Sequence, residues 1–193
     1  MNKLEFRIKK FSYSTGENLD LSSIPMNMRR KLSPVGKIAM STMLDCYGEN
    51  SDDIKLVYAS WYGELERVVK LIKQEHEENE ISPTGFSFSV HNSTVGLFSL
   101  LKKIYSSYNS IAGGEESFSV GLLDAIMNRE KTLFCYAESV DRYESISILI
   151  DYDEGEKVLV RENSEHLPAN SFDEFIRGGR YVCPLYIMER ADD

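Results

Sequence analysis

The sequence predicts an open α/β domain, a sheet with helices packed on both faces. Three observations carry that reading. Short apolar, partly β-branched runs alternate with longer stretches of helical period, the pattern of parallel strands joined by crossover helices. The 193 residues suffice for one sizeable core, and length gives no ground for a second. A hydrophobic share of 42% is that of an ordinary globular chain, so the elements have enough apolar surface to bury.

In chain order, residues 4–13 read as a first strand, with Phe6 and Ile8 alternating with charges before Phe11 and Tyr13. A polar loop follows at 15–21. Residues 29–46 place Leu32, Val35, Ile38, Ala39, Met43 and Leu44 on one helical face, and glycine and acids at 47–53 end it. The run 54–59 is short and apolar, a buried strand. Gly63 precedes a second helix with the face Leu65, Val68, Val69, Leu71 and Ile72, which fades into the acids of 75–80. After a turn at Ser82-Pro83, a third helix is expected from about 89 to 103. A strand at 106–112, a glycine turn and a helix at 117–128 come next, then a short strand at 133–137. Runs 145–151 and 156–161 flank Asp153-Glu154-Gly155 and predict a hairpin. Residues 172–176 form one helical turn and 181–188 a last strand. The sheet is therefore expected to be largely parallel, with a late antiparallel addition.

Composition removes several function classes. A net charge of −9 without a basic stripe argues against a general nucleic-acid surface. The one basic cluster, Arg29-Arg30-Lys31, reads as a solvated helix start. No apolar run reaches the roughly 18 residues of a membrane span. The start lacks the apolar core of a signal peptide, so a cytoplasmic protein is expected. Cys46, Cys135 and Cys183 are odd in number and widely spaced, as reduced buried thiols are. Neither they nor His76, His91 and His166 show metal-ligand spacing, and no metal or cofactor is expected.

Two motifs stand out. The first runs from Ile81 through Ser82, Pro83, Thr84, Phe86, Ser87 and Ser89 to Val90, His91 and Asn92, continued by Gly96 and Ser99. Asn92 and Gly96 lie one helical turn apart, where glycine admits a close neighbour. On that reading Gly96→Leu overpacks a helix contact, at a cost of ~1–3 kcal/mol. His91 has no cysteine or carboxylate beside it in sequence and reads as a hydrogen-bonded structural histidine. Ser93 lacks the Gly-x-Ser-x-Gly elbow of a hydrolase. The second motif is Asn109-Ser110-Ile111-Ala112-Gly113-Gly114-Glu115-Glu116. Two glycines before a helix suggest a phosphate cradle, yet the two glutamates repel an anion and no Walker lysine is present. Acids in a first helical turn are also favoured by the helix dipole alone, by ~0.3–1 kcal/mol.

Together these motifs resemble the β-ketoacyl synthases, in which a strand ends in a sharp turn that carries the nucleophilic cysteine at the start of a helix. Glu115 stands at the cysteine position, and a carboxylate cannot replace a thiolate as acyl carrier. Residues 30–33 and 58–64 extend the resemblance, which weakens beyond Arg142. It implies a thiolase-like fold, a mixed sheet with helices on both faces, as a single truncated domain over residues 1–193. It further implies a non-catalytic chain-length factor of aryl polyene-type biosynthesis, since the histidine-bearing second half of a synthase is also missing. The implied partners are a full-length β-ketoacyl synthase and, through the complex, an acyl carrier protein. The resemblance puts Tyr108, Asn109, Ser110, Ile111 and Ala112 on a strand at the subunit interface, with Asn92, Gly96 and Phe118 on neighbouring surfaces. Ile72, Phe86 and Phe88 are expected at the acyl tunnel. Two alternatives stay open: a malonyl-carrier decarboxylase or hydrolase using Glu115, and a solitary structural or regulatory remnant of the fold.

Overall fold

The computed structural model describes residues 3–49, 52–140 and 142–191. Eight strands form one sheet: β1 (Leu4–Ser14), β2 (Lys55–Ala59), β3 (Tyr108–Ile111), β4 (Thr132–Glu138), β5 (Glu144–Asp151), β6 (Glu156–Glu162), β7 (Tyr181–Val182) and β8 (Tyr186–Arg190). The helices are α1 (Met26–Arg29), α2 (Pro34–Tyr47), α3 (Leu65–Glu78), α4 (Pro83–Ser87), α5 (Ser93–Lys102), α6 (Ser117–Met127) and α7 (Phe172–Ile176). Strand order across the sheet is β3-β2-β4-β5-β1-β6-β8-β7. Only β3, β2 and β4 run parallel, and every other junction is antiparallel. The sheet is mixed, less parallel than the alternation of elements suggested.

The pleat sorts side chains to two cores. Leu56, Tyr58, Leu133, Cys135 and Leu149 face α2 and α5, whereas Val57, Ala59, Phe134, Ile148 and Ile150 face α6 and α7. α6 lies close to the sheet: a Cβ added to Gly121 would come within 2.6 Å of Ala59 Cβ and 2.9 Å of the Phe134 ring. All three cysteines are buried and unpaired, and burial pushes the Cys46 thiol up to about 12.

Four expectations are corrected. The helix expected from residue 29 is broken before Pro34. A residue preceding proline is driven to extended backbone, and Ser33 adopts it, capping α2 through Gly36 N–H at 3.1 Å. The helix expected from about 89 starts later, and the turn expected at Ser82-Pro83 is itself a short helix. Ser82 caps α4 through Gly85 N–H with Pro83 in the first turn, and α5 begins only at Ser93.

The hairpin expected of 145–151 and 156–161 does not form. β1 inserts between those strands, pairing Ile8 with Ile150 on one side and with Glu156 on the other. The connecting turn passes over a bulge in β1 between Ile8 and Lys10. Gly155 has φ +117° there, and a Cβ on it would meet the Ile8 carbonyl oxygen at 2.4 Å. Lastly, the last strand is itself a hairpin, β7 pairing with β8 about Cys183-Pro184-Leu185.

Candidate functional site

β3 leads into the glycine turn, where Gly114 takes φ +62°, a conformation open to glycine at no steric cost. A single 3-10 turn, Gly114–Glu116, then enters α6. Local hydroxyls fix it. Ser117 Oγ accepts from Gly113 N–H at 3.0 Å and donates to Gly114 O at 2.7 Å, and Ser119 Oγ donates to the Glu116 carboxylate at 2.5 Å. Glu115 is exposed at the rim of a cavity of about 340 Å³. Its walls are Glu116, Phe118, Tyr136, Glu144, Asp173 and Tyr181, with Arg142 at the edge. Four carboxylates thus face one guanidinium, which is bound to Glu144 at 2.9 Å. Burial pushes the Glu144 carboxyl up and the Tyr136 phenol up to about 12. Cys183 also reaches this wall, but burial raises its thiol, so it is no thiolate nucleophile.

The other half of the site is the sheet edge. The carbonyls of Ser107 and Ile111 accept from Leu56 and Ser60 of the β2 side, so the alternate residues Tyr108 and Ser110 turn their backbone groups outward. Beside them runs a groove of about 330 Å³ in which Asn92, Gly96 and Tyr108 come together with Phe88 and Leu100. A Cβ on Gly96 meets nothing nearer than Tyr108 Oη at 3.5 Å, an ordinary contact. The close backbone neighbour expected at this glycine is therefore absent from the described residues. Asn109 donates to Asp124 at 2.9 Å, Ile111 packs toward the α6 core, and Ala112 is exposed. Phe118 does not belong to this surface. It lies across the sheet, its ring 4.8 Å from Phe172 and 5.4 Å from Tyr181.

The three residues expected at an acyl tunnel are also separated by burial. Ile72 on α3 and Phe86 on α4 are 61% and 66% exposed, while Phe88 is half-buried under the Lys31 ammonium. α3 buries Leu71 alone of its fourteen residues, and Leu65, Val69 and Ile72 face solvent. The far edge of the sheet is treated differently. Asn170 donates its N–H to Val182 O and accepts Val182 N–H on its side-chain oxygen at 2.7 Å, which closes β7.

A polar chain ties the edge strand to the sheet. His91 Nε2 lies 2.9 Å from Ser60 O, a group that only accepts, so this nitrogen carries the hydrogen; Nδ1 lies 2.6 Å from Ser110 Oγ. His91 is thus the structural histidine expected, and Gly63 (φ +51°) must lack a Cβ because one would fall 2.6 Å from its ring. Two buried glutamates escaped the sequence reading. Glu64 accepts from Ser33 at 2.8 Å, Ser93 at 3.3 Å and Arg67 at 2.9 Å, joining the starts of α2, α3 and α5. Glu138 accepts from Ser60 Oγ at 3.1 Å and from the N–H groups of Trp61 and Tyr62. The available signal was an acid closing each of two apolar runs. No helix among the described residues is long and apolar enough to cross a membrane.

The site's geometry can now be set beside known proteins. A chain of the ketosynthase ApeO in complex with its chain length factor ApeC, from Xenorhabdus doucetiae, superposes with TM-score 0.77 at 22% identity, over 97% of this chain and all of that one. The ishigamide ketosynthase/chain length factor matches with TM-score 0.64 at 14% identity, over 77% of this chain and 55% of that one. A type II polyketide ketosynthase in complex with its acyl-carrier protein gives 0.62 at 9% identity, covering 78% and 63%. These likenesses establish the thiolase-like ketosynthase fold. No curated protein matches the chain in sequence. The family model of the β-ketoacyl synthase N-terminal domain matches residues 7–134, well over half of the chain and inclusive of both motifs, and the protein belongs to that family.

Proposed function

We propose that this chain is a non-catalytic, chain-length-factor-like subunit that docks through β3 onto a cysteine-bearing β-ketoacyl synthase and helps to bound its acyl tunnel. The observation that carries this reading is the asymmetry of the sheet. One edge is closed by Asn170, whereas among the described residues no strand pairs with the outer edge of β3, which is flanked by the groove of Asn92, Gly96 and Tyr108. A bare edge calls for a partner. Glu115 at the nucleophile position adds to it, and so does the known pairing of ketosynthase and chain length factor in similar structures. On this reading residues 1–193 act as one unit in the cytoplasm. The growing chain, of aryl polyene type by resemblance, reaches the synthase on an acyl carrier protein.

The exposed Ile72 and Phe86 acquire a role here, as apolar groups that border the chain once the partner covers them. Burying them is favourable at about 25 cal/mol per Å² of apolar surface. The decarboxylase alternative is weakened, because the cavity at Glu115 gathers three further carboxylates that repel a malonyl anion. Co-expression with a full-length synthase followed by size-exclusion chromatography tests the assignment. A stable complex is expected, with products of defined length formed by the complex and none by this chain alone. Separate elution, or condensation by the purified chain, sinks it.

A further inference from the structure

Glu138 sits at the C-terminal end of β4 and is only 4% exposed. Its Oε1 accepts from Ser60 Oγ and Trp61 N–H, and its Oε2 faces Tyr62 N–H at 3.4 Å. Ser60 is a junction. Its N–H goes to Ile111 O of β3, its oxygen Oγ accepts from Gly63 N–H at 2.8 Å, and its carbonyl accepts from His91. One buried carboxyl therefore holds the segment that starts α3 and touches the edge strand.

The charges around that carboxyl are mostly of its own sign. Glu144 lies directly opposite it in the β4–β5 ladder, a pairing that disfavours two like charges. From α3, Glu64 is buried beside the same Tyr58 hydroxyl that Glu138 acts on, and Glu66 accepts from Ser139 at 3.0 Å. Asp173 faces Glu144 from α7. Two cations offset them in part: Arg142, bound to Glu144 and also drawing the Glu138 carboxyl down, and Arg67, bound to Glu64 at 2.9 Å; burial keeps Tyr136 a neutral phenol. Three donors favour the anion, yet the surroundings of poor hydration and like charge oppose it.

We propose that Glu138 is a proton-controlled latch on residues 60–63, closed when its carboxyl is neutral and released more readily when it is ionised. Burial raises the Glu138 carboxyl above its ordinary value, with the Trp61, Ser60 and Tyr62 donors only partly offsetting this. A group raised in the closed state favours closure at low pH and loses that contribution as pH rises through its closed-state value. Release frees α3, which is otherwise held by Glu64, Arg67 and the buried Leu71. The latch is a property of the free chain and does not depend on the proposed assembly.

The chain contains a single tryptophan, Trp61, whose own N–H is bound by the latch. Its indole is stacked on Tyr62 at 4.7 Å, within the bound segment, so its emission follows release of residues 60–63. The test compares the full chain with Glu138→Gln, which retains the Oε1 acceptor for Ser60 and Trp61 while removing the charge. Trp61 emission and amide exchange over residues 60–78, corrected for intrinsic exchange, are measured from pH 4.5 to 8. In the parent, opening should grow with pH, by about tenfold for each unit between the closed and open values of the carboxyl. In Glu138→Gln the segment should stay protected and its emission flat. Glu144→Gln, which keeps the latch and removes the opposing charge, should move the parent's midpoint down. A transition that persists in Glu138→Gln, no transition in the parent, or stronger protection of the parent at high pH would overturn the proposal.

Discussion

Replacing Gly96 by leucine separates folding from assembly. Inside the chain the position is open, since the nearest atoms to an added Cβ are Tyr108 Oη at 3.5 Å and Tyr108 Cζ at 3.9 Å. The rest of the side chain extends into the 330 Å³ groove. Glycine within a helix costs roughly 0.8–1 kcal/mol relative to a good helix former. The variant should therefore be as stable as the parent or more so by up to about 1 kcal/mol, a rise of at most ~4 °C in Tm. A partner seated in the groove meets the new side chain, and overpacking of that kind costs ~1–3 kcal/mol. That corresponds to an affinity loss of roughly five- to 150-fold. Urea unfolding of the isolated chain and calorimetric titration against the synthase read the two effects independently. Destabilisation beyond about 1 kcal/mol would mean that the glycine serves the monomer. Unchanged affinity would mean that the groove does not face the partner.

Gly121→Ala should behave in the opposite way, with a lower unfolding midpoint by ~1–3 kcal/mol, because its Cβ falls 2.6 Å from Ala59 Cβ. Ile72→Ala and Phe86→Ala sit at exposed positions and should leave the midpoint within about 0.5 kcal/mol. Within the reconstituted complex they should lengthen the carrier-bound products seen by mass spectrometry, and unaltered lengths would move the gate elsewhere. Glu115→Cys should not confer condensation on the chain alone, as assayed by product formation, because the cavity places no histidine beside that position. Stability should peak on the acid side of neutrality. The buried carboxyls of Glu138 and Glu144 are raised, so their contribution is full below about pH 4.3 and is lost as pH climbs through their folded values. Asp45 and Asp151 are lowered, the first by the Ser12 and Lys10 bonds and the second by backbone N–H groups that outweigh its burial. Their contribution is present above about pH 3.9 and is lost as pH falls through their folded values. Urea midpoints from pH 3 to 8 check both arms.

Periodicity was enough to locate β1, β2, β4, α2 and α6, because each buries a face whose period is written in consecutive apolar residues. It failed where a local device overrides the period. Ser33-Pro34 and Ser82-Pro83 each start a helix later or earlier than the apolar face alone implies. It failed again where pairing is non-local. Nothing in 145–161 announces that residues 4–14 lie between its two halves. At the site, the resemblance put Asn92, Gly96 and Tyr108 at one subunit surface, and a single groove brings the three together. The same resemblance put Phe118 on a neighbouring surface, although the pleat sends α6 to the other face. Ile72 carries the same apolar signature as a core residue. Its exposure follows from α3 meeting the body through Leu71 and through polar bonds of Glu66 and Arg67, a fact of packing that no pattern encodes.

The placement of β1 has a consequence for how the molecule is made. Residues 4–14 are synthesised well before their sheet neighbours, both of which come from residues 144–162. That strand must wait, with both edges unpaired, while the roughly 130 residues up to its partners are added. At ~5–20 residues per second, that interval is on the order of ten seconds. Contacts of such sequence separation also slow the final docking, because a long loop must be closed before any of them form. The alternating charges Glu5, Arg7, Lys9 and Lys10 therefore keep a waiting strand soluble during synthesis.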